Sequence, residues 1–502
     1  MPELIIRRGG QKTSVTVPAG TRLHEALEAA GISVFRPCGG RGVCGKCAVT
    51  VTGALSPRTA EEEKLGLPEN RRLACQTDIL GDAVVTLEDA AAMTVETATA
   101  ARVSALAPMG EGFGAAVDIG TTTVVLRVYD CSDGRLCGEA ASENPQGTVA
   151  ADVMGRIGAA MNGGGTLLQT QILGCISALL SEACRAGGIP EEQVTVMVLC
   201  GNTTMLYLLT GQNPEPLSHA PFLADTLFDC ETMLLGRRAY LPSCMDAFVG
   251  ADITCAVLAS GMCERDETAL LCDLGTNGEL ALWKNGVLYV TSTAAGPAFE
   301  GAGISCGCRS IPGAVDRVVP GPGGTLAVHT IGDRPAVGVC GSGLIDAIAA
   351  GLDVGLIDET GALEDDDLPL SANGGTVVLE QKDIRAVQLA KAAIAAGTET
   401  LLGAAQTKYE DVKTVYLAGG FGSHLDIPGA VRIGLLHEAF RDRVKVIGNG
   451  ALAGAELLLL DAARRERCVR IAGTSHGVKL GGDPVFNAAY MEQMLFPDSD
   501  ED

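Results

Sequence analysis

The sequence predicts an α+β chain of several domains: a small β-grasp unit at the N-terminus, then a larger α/β body of two similar lobes. Three observations carry this. The chain has 502 residues, which at roughly 150 residues per domain makes about three. Its first ninety residues read strand, strand, helix, strand, strand. Beyond them an Asp-x-Gly-Thr turn between apolar strands occurs twice, at Asp118 and Asp273, 155 positions apart, as an internal duplication would leave it.

Hydrophobic residues make up 47% of the chain and charged residues 20%, enough for packed cores and against wholesale disorder. The net charge is −24, and residues 1–100 hold 11 Lys/Arg against 12 Asp/Glu, so nearly all of it lies in the body. So acidic a body excludes nonspecific binding of nucleic acid and docking on anionic membranes. No apolar run reaches 18 residues, the length a membrane helix needs. The opening MPELIIRRGGQKTSVTV lacks a signal-peptide core, so the expected location is cytoplasmic. Eighteen cysteines in such a chain are not a disulfide framework. Fourteen are scattered, often in apolar runs such as TVMVLC and ALLCDL, and read as small buried hydrophobes.

Residues 3–8 (ELIIRR) and 13–17 (TSVTV) read as strands turning at Gly9-Gly10. Thr21 is placed to cap a helix with Leu23, Ala26, Leu27 and Ala30 on one face and Gly31 closing it. Strands AVTVTG and AVVTLED (83–89) follow, and the domain is expected to span 1–90. Between helix and strands, Cys38, Cys44 and Cys47 are spaced C-x5-C-x2-C, and Cys75 comes 28 positions later. Three close thiolates and a distant fourth are the plant-type arrangement for a [2Fe–2S] cluster. Gly39, Gly40, Gly42 and Gly45 let the loop wrap a cluster and aim N–H groups at its sulfurs, with Arg41 and Lys46 nearby. Zinc is disfavoured, since four-thiolate zinc sites usually use two C-x2-C knuckles and one is present. Gly40–Cys47 nearly spells a P-loop, but Cys47 stands where a hydroxyl would bind Mg²⁺. The unit resembles a plant-type ferredoxin domain. It departs in having five residues in the first gap rather than four, as in the adrenodoxin-like variant.

Residues 91–112, rich in Ala and Thr, read as a linker. In AAVDIGTTTVVLRVYD (115–130) and TALLCDLGTNGELALWKNG (268–286) an Asp ends an apolar strand, and a Gly-Thr turn offers N–H and hydroxyl groups to an anion. VKTVYLAGGFGSHLD (412–426) is a strand ending in glycines that let backbone approach a flat ligand. VIGNGALAGAELLLLD (446–461) reads as a small-residue helix suited to close packing at a hinge, and VTVMVLCGNTTMLYLLTG (194–211) as a strand–helix step. The expected divisions are 113–265, 266–475 with the glycine motif, and a C-terminal extension 476–502 with an acidic tail.

These motifs resemble the ATPase superfamily of actin, sugar kinases and Hsp70, a two-lobed RNase H-like α/β fold. With the ferredoxin-like unit in front, the chain is similar to the ATP-dependent reductive activators of corrinoid proteins, as are STAAGPAFEGAGI (292–304) and VCGSGLIDAI (339–348). The resemblance implies a [2Fe–2S] cluster, ATP and Mg²⁺ as cofactors. It implies electron transfer to Co(II) of a methyltransferase's corrinoid protein, restoring Co(I), with a low-potential donor upstream and a homodimeric state. Plant-type clusters sit near roughly −400 mV, so ATP is expected to make up a deficit. On this reading Cys38, Cys44, Cys47 and Cys75 ligate the cluster, and Asp118 and Asp273 orient Mg²⁺ or water. Gly120, Thr121, Thr122, Gly275, Thr276 and Asn277 cradle phosphates, Gly419, Gly420 and Gly422 line the adenosine, and Glu300 positions water, with Asn202 a weaker candidate. The alternative is a small-molecule kinase with a regulatory iron–sulfur domain, Glu300 then serving as base.

Overall fold

The computed structural model describes residues 1–8, 11–30, 32, 34, 40, 42, 45, 47–87, 106–419 and 425–498. Cys38, Cys44, Gly420, Gly422, most of the expected linker and the end of the acidic tail lie outside the described residues.

The N-terminal unit comprises β1 (Glu3–Arg8), β2 (Gln11–Thr16), β3 (Thr21–Arg22), α1 (Leu23–Ala29), β4 (Ala48–Leu55), α2 (Ala60–Lys64), β5 (Arg71–Leu73) and β6 (Asp78–Leu87). The sheet runs β2-β1-β6-β4-β5, with β1 parallel to β6 and β3 on the end of β6. Alternation sets the core: Leu4 and Ile6 are buried and Glu3 and Arg7 exposed. From α1, Leu23, Ala26 and Leu27 pack on them. Thr21 does not cap α1. It pairs with Ile79 because β6 starts at Asp78, five residues before the expected strand. The cap residue is Arg22, whose side chain makes no capping bond and turns instead to Asp78 and the Cys75 carbonyl.

The body opens with β7 (Phe113–Ile119), β8 (Thr123–Asp130), β9 (Leu136–Glu143), α3 (Val153–Ala159), α4 (Gly165–Gly187), β10 (Val194–Gly201), α5 (Thr203–Thr210), β11 (Cys230–Leu234), β12 (Arg237–Leu241) and α6 (Ala251–Ser260). Its sheet is ordered β11-β12-β10-β7-β8-β9. The continuous stretch Val153–Gly187 is long and apolar enough to cross a membrane by length and composition. Its Leu168, Ile172, Ile176, Leu179 and Leu180 instead fill the core against this sheet.

The second sheet is ordered β22-β21-β13-β14-β15-β23. The elements are β13 (Ala269–Leu274), β14 (Gly278–Lys284), β15 (Val287–Thr293), β16 (Ala314–Pro320), β17 (Leu326–Thr330), β18 (Gly338–Val339), α7 (Gly341–Asp353), β19 (Asp367–Ala372), β20 (Gly375–Glu380), α8 (Gln381–Ala404), β21 (Thr414–Ala418), α9 (Ile427–Arg432), β22 (Val444–Gly448), α10 (Gly450–Leu460), α11 (Arg464–Gly473), β23 (Ser475–Gly477) and α12 (Pro484–Glu492). The duplication is explicit in the sheets. In each, an antiparallel meander (β7-β8-β9; β13-β14-β15) has a parallel strand beside its first member, β10 on β7 and β21 on β13.

Two helices cross between lobes, α11 packing on α6 and α10 more extensively. Helix α10, within the expected second lobe 266–475, packs on α6, β7 and β10 and joins the first lobe's core. A Cβ on Gly454 would stand 2.1 Å from the Cys255 carbonyl oxygen of α6, so glycine alone permits this approach. The buried Arg127–Glu456 pair, 2.7 Å apart, ties α10 to β8.

Candidate functional site

Asp118 and Asp273 are the penultimate residues of β7 and β13, in matching positions opposite Cys200 of β10 and Ala418 of β21. Ligands of open α/β sheets collect beyond such carboxyl ends of parallel strands. The turns that follow meet across the lobes. Thr122 Oγ1 and Thr276 Oγ1 are 3.0 Å apart. Both hydroxyls donate to Glu300, Thr122 to Oε2 at 3.0 Å and Thr276 to Oε1 at 3.1 Å. Glu300 therefore lies between the two turns rather than on the surface. Gly419 (φ +95°) closes the group, for a Cβ there would lie 2.9 Å from Asp273 Oδ1.

The first turn is held from behind. Asn202 caps α5 through Met205 N and donates Nδ2 to Thr121 Oγ1 at 3.1 Å. Buried Arg156 donates to the Thr121 carbonyl at 2.6 Å and Asn144 to that of Gly120 at 2.8 Å. Asn202 and Asn277 line a cavity of about 230 Å³ beside the turns, with Val153, Met154 and Phe248.

The electrostatics are those of crowded acids. Burial raises Asp118 to about 6, against a lowering hydrogen bond from Asn449. Burial, then Asp118 and Glu300, raise Asp273 to about 7. Asp252, in the first turn of α6, is raised to about 8 by burial and by Asp273 and Asp118, although the Ile253 N–H bond opposes this. Burial and the charges of Asp252 and Asp273 push Glu279 well up. Glu300 rises through burial, partly offset by the Thr122 and Thr276 hydroxyls and by Arg309. Among the described residues no three acidic, histidine or cysteine side chains come together as a metal-holding group, so these acids act on one another through charge.

In the N-terminal unit, Cys47 Sγ donates to Cys75 Sγ at 3.2 Å. That bond, with contributions from Gln76 and the Gly42 N–H and against burial, brings Cys75 down to about 6. Cys131, Cys244 and Cys272 go the other way, to about 11, 12 and 12, through burial first. The acidic thiol thus lies after β5, against Cys47 of the cysteine-rich loop, where sulfur-directed N–H groups suit a thiolate-bound iron cluster. Glu62 anchors this region. It takes Arg72 Nε at 2.9 Å and Leu73 N at 2.8 Å, two residues before Cys75. Of the scattered cysteines, Cys230 is exposed on β11, contrary to the expectation of burial.

Three family models cover the chain: a 2Fe-2S iron-sulfur cluster binding domain at 6–80, the RACo middle region at 113–265, and the C-terminal domain of RACo, the ASKHA domain, at 267–502. A corrinoid activation enzyme of Eubacterium limosum, RamQ, is 34% identical over 423 residues, 77% of this chain and 71% of that one. The chain belongs to the RACo family of corrinoid-protein activators. The [Co(II) methylated amine-specific corrinoid protein] reductase of Methanosarcina barkeri is 28% identical over 349 residues, 61% of this chain and 64% of that one. The solved reductive activator for corrinoid, iron-sulfur protein superposes with a TM-score of 0.72 at 26% identity, covering 100% of this chain and 99% of that one.

Within this RACo-family chain, sequence reasoning missed five residues. Asp252 and Glu279 complete the acidic group. Asn449 caps α10 and donates to Asp118 Oδ2 at 2.8 Å. Arg156 holds the first turn, and Arg309 bridges to Glu143. Asn449 carried a readable signal, an Asn before a glycine that opens an apolar run.

Proposed function

We propose that this chain is an ATP-dependent reductive activator, passing one electron from a [2Fe–2S] cluster to Co(II) of a corrinoid protein and so restoring Co(I). The observation that carries the ATP half is the meeting of Thr122 and Thr276 on Glu300, which draws the turns of two lobes onto one small volume. When bound, the cluster supplies a single low-potential electron. Cys38, Cys44, Cys47 and Cys75 hold it, with the Gly42 N–H and Gln76 directed at Cys75. An upstream donor returns the electron.

In the cleft, Gly120, Thr121 and Thr122 face Gly275, Thr276 and Asn277 across the phosphates. Gly419, Gly420 and Gly422 take the adenosine side. Asp118 and Asp273 would orient hydrated Mg²⁺, whose charge would favour their ionised forms. Glu300 orients the attacking water. Thr122 and Thr276 must leave Glu300 to meet the phosphates, so nucleotide entry remakes the contact between lobes. Hydrolysis then favours a state of the complex in which Co(II) accepts the electron. The expected setting is a cytoplasmic homodimer.

The test is anaerobic and optical. Chemically reduced protein is mixed with Co(II) corrinoid proteins of methyltransferase systems, and Co(I) absorbance is followed with and without Mg-ATP. Co(I) appearing only with ATP, and lost in Cys75→Ala and Asp273→Ala, is the expected result. ATP turnover with no Co(I), and phosphate appearing on a small molecule, favours the kinase alternative.

A further inference from the structure

We infer that Arg309 is the cation that meets the terminal phosphate of the bound nucleotide, and that Glu143 holds it while the cleft is empty. The inference rests on reading the cleft as an ATP site.

Arg309 lies nine residues after Glu300, on a loop fixed at several points. Ser305 donates N–H and hydroxyl to Asp383 Oδ1 at 2.8 and 3.1 Å. Cys308 N donates to Val339 O at 2.8 Å, and Val339 N to Cys306 O at 2.9 Å. From this second-lobe loop the guanidinium reaches the first lobe, its Nη2 2.5 Å from Glu143 Oε1. Glu143 pairs with Thr123 across β8 and β9. The next residue, Asn144, donates backbone N–H to Thr122 O and side-chain Nδ2 to Gly120 O, both at 2.8 Å. Arg309 is thus parked at the end of β9, beside the start of β8 where the first turn ends, and its charge is felt at Glu300, which accepts from both threonine hydroxyls.

The charge balance calls for such a residue. Glu300 lies at the meeting point of the turns, Asp118, Asp273, Asp252 and Glu279 act on one another through charge, and a triphosphate adds more negative charge than one divalent cation offsets. Two other arginines near the first turn are committed elsewhere. Arg156 is buried against the Thr121 and Ala150 carbonyls and Gln146. Arg127 is paired to Glu139 and Glu456. By contrast, both partners of the Glu143–Arg309 pair are 40% exposed. Ion pairs so exposed are weak, whereas a guanidinium on a phosphate forms parallel charge-assisted bonds. Arg309 can therefore exchange Glu143 for a γ-phosphate, and ADP gives it nothing equivalent.

The experiment is equilibrium binding of Mg²⁺ with a non-hydrolysable ATP analogue, or with ADP, to the full cluster-loaded chain, alongside steady-state ATP hydrolysis. Arg309→Ala is expected to weaken the analogue at least about 10-fold and to leave ADP within about 2-fold, with Arg309→Lys, a point charge without the fork, recovering only part of the loss. Glu143→Gln is expected to leave analogue binding unchanged or tighter, because it releases the arginine. Equal loss of both nucleotides in Arg309→Ala, no loss of either, or a Glu143→Gln variant as weak as Arg309→Ala would overturn the inference and make the pair a plain lobe tie. A wild-type chain that binds neither nucleotide would instead remove the ATP reading, and this inference with it.

Discussion

Replacing Asp273 by Asn should stabilise the nucleotide- and metal-free protein, by an amount that depends on pH. The carboxyl is raised from 3.8 to about 7 by burial and by Asp118 and Glu300. A shift of about 3 units corresponds to roughly 4 kcal/mol at most. The sign follows from linkage. Between pH 4 and 7 the unfolded chain releases the Asp273 proton while the folded one keeps it, so folding stability falls as pH rises and levels off above about 7. An asparagine escapes that loss. The gain should be largest at pH 8, where relaxation of the coupled Asp118 and Asp252 leaves roughly 2–4 kcal/mol, and under half as large at pH 5. For a body of this size 1 kcal/mol moves Tm by roughly 2–4 °C, so a rise of about 5–10 °C is expected at pH 8. Trp283 is the chain's single tryptophan and pairs with Ala269 on Asp273's own strand, so its fluorescence reports the unfolding of this lobe. An equal rise at pH 5 and pH 8, or a lower Tm at pH 8, would show that Asp273 is not held protonated by its neighbours and would refute the account of the acidic site.

Other expectations concern separate parts of the molecule. Glu300→Gln should lower ATP turnover by roughly 10²–10⁴-fold while nucleotide affinity stays within a few-fold; a matching collapse of affinity would make Glu300 a structural tie between lobes. Glu456→Ala leaves Arg127 without its buried partner and should cost about 3–5 kcal/mol in denaturant titration, whereas the double change Arg127→Met with Glu456→Leu should restore most of it. Gly454→Leu must push α10 off the Cys255 carbonyl, for which a loss of about 3 kcal/mol is expected as a lower Tm. Cys75→Ser should abolish the visible absorbance of the cluster without shifting the Trp283 unfolding transition; a retained spectrum would remove Cys75 from the ligand set.

Much of the site was legible because its signals are local and doubled. An Asp, a glycine and hydroxyl residues at the end of an apolar strand form a turn from a handful of neighbouring residues, and the second copy at Asp273 strengthened the first. The paired sheets follow from the same duplication. What stayed hidden depends on chain returning from far away. Asp252 joins the acidic group only because α6 packs on β10 and β14, the strands beside β7 and β13, and nothing adjacent to it in sequence says so. Glu279 was within a quoted hairpin, but its facing could be known only from the register that sets it opposite Asp273. Helix α10 was visible as a helix. Its crossing to the first lobe was not, although eleven buried residues in GALAGAELLLL mark a helix covered on every side. Thr21 was misassigned as a cap because β6 begins earlier than its apolar residues suggest.

The crossing of α10 bears on how one chain can relate a nucleotide to an iron–sulfur unit. At its N-terminus, Asn449 is bonded to Asp118, the penultimate residue of β7 in the cleft. At its C-terminus, Met109 N donates to Leu459 O at 2.9 Å and Ala107 N to Leu460 O at 3.0 Å, while Ala462 N returns a bond to Ala107 O at 2.7 Å. Residues 107–109 are the described end of the segment that connects the body to the N-terminal unit. Eleven residues of helix, about 16 Å by their rise, thus stand between the acidic site and the root of that connector. Such a helix moves as a rod when gripped at both ends, and its middle is gripped as well, by Arg127 from β8 and by the carbonyl of Cys255 from α6. Contiguity alone is not coupling, which needs an element with two arrangements. On the proposed ATP reading the cleft would supply that element: each hydroxyl carries one proton, so Thr122 and Thr276 cannot donate to Glu300 and to a phosphate at once. Opening that contact would release the first turn beside Asp118, and Asp118 accepts the hydrogen bond of Asn449, the residue that caps α10.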